Sequence, residues 1–126
     1  MARIYGQIRA ALSAGFSVVS LRTVNRISLT MLGEGNHPHP AALLLVAEIS
    51  GRVAEGWEER AISVQVANRV EADLKPSLER LLELMESESG QSQILDAMNE
   101  TAKAFALTLR LGIDSDFLFG ASSTPQ

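Results

Sequence analysis

Two histidines and their neighbours are the first residues whose types and spacing suggest chemistry. His37-Pro38-His39-Pro40 sets two imidazoles one residue apart, with Glu34 just upstream. Neutral imidazole and carboxylate both bind transition metals, so His37, His39 and Glu34 form the candidate metal set. The competing reading is a stiff, exposed link between two helices, because both prolines restrict the backbone. A closed metal site needs further ligands, and the chain has no third histidine. No cofactor is expected.

Two other clusters raise the same question. Asp114-Ser115-Asp116 is an acidic cluster that suits a divalent cation or a diphosphate, or else caps a short turn carrying Phe117, Leu118 and Phe119. The glycine and distal glutamate of a calcium loop are missing, which favours the cap. Trp57-Glu58-Glu59-Arg60 sets the single tryptophan beside two carboxylates. An apolar wall can raise a carboxyl pKa and make a general acid. No complementary base accompanies it, and Trp57 reads better as a packing or interface anchor. The segment Phe117–Phe119 reads as a C-terminal plug, into this chain or a neighbour.

The missing motifs are as informative. With Cys 0 there is no disulfide, thiolate metal site or cysteine nucleophile. Gly90-Gln91-Ser92-Gln93-Ile94 fails the nucleophile-elbow pattern at its last position. Neither a phosphate loop nor a dinucleotide-binding glycine fingerprint occurs. No paired Glu-x-x-His of the di-iron bundles is found either. The catalytic set is therefore empty, and the reading leans away from an enzyme.

Charge gives the next clue. The 126 residues carry 11 basic and 15 acidic side chains, a formal net of -4. The basic residues before Glu34 are Arg3, Arg9, Arg22 and Arg26, with no acid among them. An N-terminal arm of about +4 therefore precedes a body of about −8. Such an arm can meet an acidic protein surface, anionic lipid or nucleic acid. Its arginines are thin for nucleic acid, and the acidic body disfavours that partner further. The acid-free, serine-containing N-terminus also resembles a presequence. It lacks a clean cleavage site, and no uncharged run is long enough for a membrane span. The expectation is a soluble, cytoplasmic protein that keeps its N-terminus.

These features must be placed on elements. Ile94, Leu95, Met98, Ala102, Phe105 and Leu109 recur at helical steps and predict a helix over 91–111, with Gly112 as its terminating glycine. Leu78, Leu81, Leu82 and Met85 predict a helix over 76–88, opened by Pro76. The short link SESGQS makes this pair an antiparallel hairpin. Glu79, Glu83 and Glu86 line its opposite face, either solvated or docked on the arginines of another subunit.

The N-terminal half is more ambiguous. Ile4, Ile8, Ala11, Leu12, Gly15 and Val19 share a helical face, which then loses phase near Arg22–Asn25. Residues 40–74 read as helix, with Gly51 and Gly56 marking a kink or a close approach. Ile62, Val64 and Val66 alternate like a strand, as do Ile27, Leu29 and Met31. Short strands at 27–32 and 61–67 would give an α+β fold. Two short runs make a meagre sheet, so an all-α helical bundle leads.

In that bundle a long N-terminal helical hairpin, at roughly 45–50 Å, would overhang a C-terminal one of roughly 20–30 Å. One domain over 1–120 with a flexible tail at 121–126 is expected. Overhanging apolar surface calls for a partner, a second copy being the simplest. The expected function is therefore a structural, adaptor or accessory subunit, a homo-oligomer or part of a larger assembly. Its contacts would be Arg3, Ile4, Ile8, Arg9, Leu12, Arg22, Arg26, Trp57, Phe117 and Phe119. The alternatives are a small metal- or ligand-binding enzyme built on GEGNHPHP and a peripheral anionic-membrane or nucleic-acid binder using the basic N-terminal helix.

Overall fold

In the computed structural model the described residues are 2–35, 37–60 and 62–116, with side chains described over residues 4–110 of these. They form five helices and no strand: α1 (Ala2–Ala14), α2 (Val18–Glu34), α3 (Pro40–Glu59), α4 (Val64–Glu86) and α5 (Gln91–Asp116). The bundle is all-α. The α+β alternative falls, because 27–32 lies inside α2 and 64–67 opens α4.

The breaks sit where single serines cap. α1 ends before Gly15, and Ser17 opens α2 by accepting from the Ser20 N–H at 3.2 Å. Ser63 opens α4 in the same way, accepting from the Val66 N–H at 3.1 Å. Each hydroxyl satisfies one of the amide donors that a helix start leaves unpaired. The expected continuous helices over 2–32 and 40–74 are thus divided at 15–17 and 60–63. Arg22–Asn25, where the stripe loses phase, lie within α2.

The C-terminal pair is longer than the sequence suggested. Pro76 lies inside α4, not at its start, with its ring exposed. Gly112 and Asp114–Asp116 lie within the span of α5, so Gly112 does not terminate it, and the expected turn at Phe117–Phe119 lies outside the described residues. α4 and α5 are the longest helices, at 23 and 26 residues. The N-terminal hairpin is therefore not the longer one, since α2 and α3 span 17 and 20 residues.

Between them, Glu88 adopts a left-handed backbone (φ 57), the Ser89 N–H bonds the Leu84 carbonyl at 3.0 Å, and the Glu88 N–H bonds that of Met85 at 3.2 Å. That crossed pair closes the end of α4 with a glutamate where glycine is usual.

The packing follows the apolar stripes. α2 packs most extensively on α3, α4 on α5, and α1 lies across α4 and α2. Tyr5, Ile8 and Leu12 of α1, Leu21 and Val24 of α2, and Leu43, Val46 and Ile49 of α3 meet the α4 row Leu74, Leu78, Leu81, Leu82 and Met85 in one core. At about 1.5–3 kcal/mol per fully buried aliphatic side chain, this common core is the main source of cohesion. Asn25 ties α2 to α3 by donating to the Ala47 carbonyl at 2.8 Å. Gly51 is required beside it, because a Cβ there would stand 2.7 Å from the Asn25 amide nitrogen. Gly56 has open space around it, so of these two glycines Gly51 marks the close approach.

Candidate functional site

The glutamate row is the first part of the surface to be reassigned. Part of it is met within this chain, while Glu83 is exposed. Glu86 and Glu83 meet Arg9 of α1, the second at 4.0 Å, and Glu79 accepts from the Ser13 hydroxyl at 2.8 Å. The pairs step back along α4 as they step forward along α1, so the two helices run antiparallel in a constant register. Gly6 continues that register, and a Cβ there would stand 2.6 Å from Glu86 Oε2. One arginine thus offsets part of the like-charged row, while Glu83 stays largely exposed.

The expected contact residues have largely been absorbed by the chain itself. Ile8 and Leu12 are fully buried, and Ile4 packs half-buried against the core. Arg22 pairs with Glu58; the hydrogen bond pulls the Glu58 carboxyl below its ordinary range and raises the Arg22 guanidinium. Arg26 is exposed. Trp57 packs edge-on against Phe16, ring centroids 5.7 Å apart at 76°. It is a packing anchor between α3 and the α1–α2 link. The Arg3 side chain, Phe117 and Phe119 lie outside what the structure describes.

The metal expectation finds no geometry to stand on. The His37 ring hydrogen-bonds the Met31 carbonyl, folding the link back on the end of α2. Among the described residues no three of His, Asp and Glu come together as a metal-holding group. The Tyr5 hydroxyl is buried without a hydrogen-bond partner, and burial pushes its pKa up. It lies inside the core, the residue only 1% exposed. A cleft of about 240 Å³ opens between α4 and α5, lined by Ser77, Arg80, Gln93, Asp96, Ala97 and Glu100. It is open and mixed in charge, and it contains no nucleophile–base pair.

The remaining feature is α5 itself. Its apolar stripe is wider than the bundle covers. Ile94, Ala97 and Thr101 are buried, and Thr101 bonds the carbonyls of Ala97 (2.7 Å) and Ser77 (3.3 Å), fixing α5 on α4. Met98 and Phe105 are half-buried at the border. Beyond them Leu95, Ala102, Ala106 and Leu109 are exposed, the leucines at 55% and 42%. Steps of seven, four and three residues place these four on one line along the helix. Val19 and Val64 are more exposed, but each stands alone in the first turn of its helix, which is ordinary for a surface.

The charged side chains described on α5 lie to one side of the line, with Asp96 and Glu100 turned to the cleft beside Arg80. Between 91 and 100 the charged residues are Asp96 and Glu100; between 101 and 110 they are Lys103 and Arg110. Unlike Arg9 or Arg22, none of these four has an ion-pair partner among the described residues.

No described helix is long and apolar enough to cross a membrane. No family model, curated protein or solved structure matches this chain.

Proposed function

We propose that this protein works by association, as a structural, adaptor or accessory subunit, and that the outer face of α5 is its contact surface. The observation that carries the reading is the line Leu95, Ala102, Ala106 and Leu109, apolar and uncovered where the neighbouring part of the same stripe is core. An amphipathic helix offering such a line to a partner buries it at little ordering cost, because the helix is already formed. Arg9 and Arg22, which the membrane and nucleic-acid reading requires, are engaged by this chain's own glutamates and support it less.

The test is site-specific photo-crosslinking in the cells that make the protein. A photoreactive residue replacing Ala102 should give a discrete protein adduct. The same residue replacing Gln65, exposed on α4, should not. Equal labelling from both positions, or no adduct from 102, would remove α5 as the contact surface.

A further inference from the structure

We draw no further inference here: the strongest candidate, the outer apolar face of α5 along Leu95, Ala102, Ala106 and Leu109, carries none, because nothing in the structure shows what covers it.

Discussion

The seam between α1 and α4 and the outer face of α5 are built from the same materials, an apolar stripe bordered by charge, yet only the first is closed. In the seam Ile8 and Leu12 are buried, and Arg9 reaches Glu83 and Glu86 across it. On α5 Leu95 and Leu109 stay exposed. The difference teaches that exposure is decided by what lies opposite a stripe. Its own hydrophobicity is no guide.

The largest expected effect separates the two regions by stability. Ile8→Ala removes a fully buried side chain and should cost about 2–4 kcal/mol in chemical unfolding. Leu95→Ala, on the open face, should change the isolated chain by no more than about 0.5 kcal/mol. Comparable losses for both would mean that the α5 face is covered after all.

A smaller effect isolates the charge in the seam. Glu86→Gln takes away the closer of the two carboxylates on Arg9 and should cost about 0.5–1 kcal/mol at low salt. The difference should shrink as salt is added, because Arg9 and Glu86 are both partly solvated. A loss independent of ionic strength would assign the effect to packing on Gly6 instead.

The smallest effect lies in alkaline unfolding. Burial raises the Tyr5 pKa above its ordinary value of 10.0. Above that pH the unfolded chain releases the proton first, so stability is full below it and falls as pH climbs towards the raised value. Tyr5→Phe should abolish this component and change neutral-pH stability by less than about 0.5 kcal/mol. The chain has one tyrosine, so phenolate absorbance reports the titration directly. A midpoint at the ordinary value would place the hydroxyl in contact with water.

These contrasts also mark what the sequence could and could not reveal. The α4–α5 hairpin was legible because its stripes keep phase and a short polar link separates them. The breaks at 15–17 and 60–63 were hidden because each depends on one serine hydroxyl, inside stretches whose apolar residues continue on both sides. Alternation at Ile62, Val64 and Val66 imitated a strand only because an extended link runs into a helix there.

The seam escaped for another reason. Periodicity shows that Glu79, Glu83 and Glu86 share a face, but not which distant segment will meet it. Gly6 was the available hint, a glycine within an amphipathic helix at the level of Glu86. On α5 the sequence joined Leu95, Ala102 and Leu109 to Ile94 and Phe105 as one stripe. Helical spacing cannot say how wide a strip the neighbours will cover, and that width defines the candidate site.

The antiparallel meeting of α1 with α4 also has a consequence in time. Arg9 and Glu86 are separated by 77 positions in the chain. At about 5–20 residues per second of synthesis, the first helix waits roughly 4–15 s for the helix that will cover it. Throughout that interval Tyr5, Ile8 and Leu12 have no α4 to lie against. On the ribosome, α1 is made well before the helix that completes its shelter.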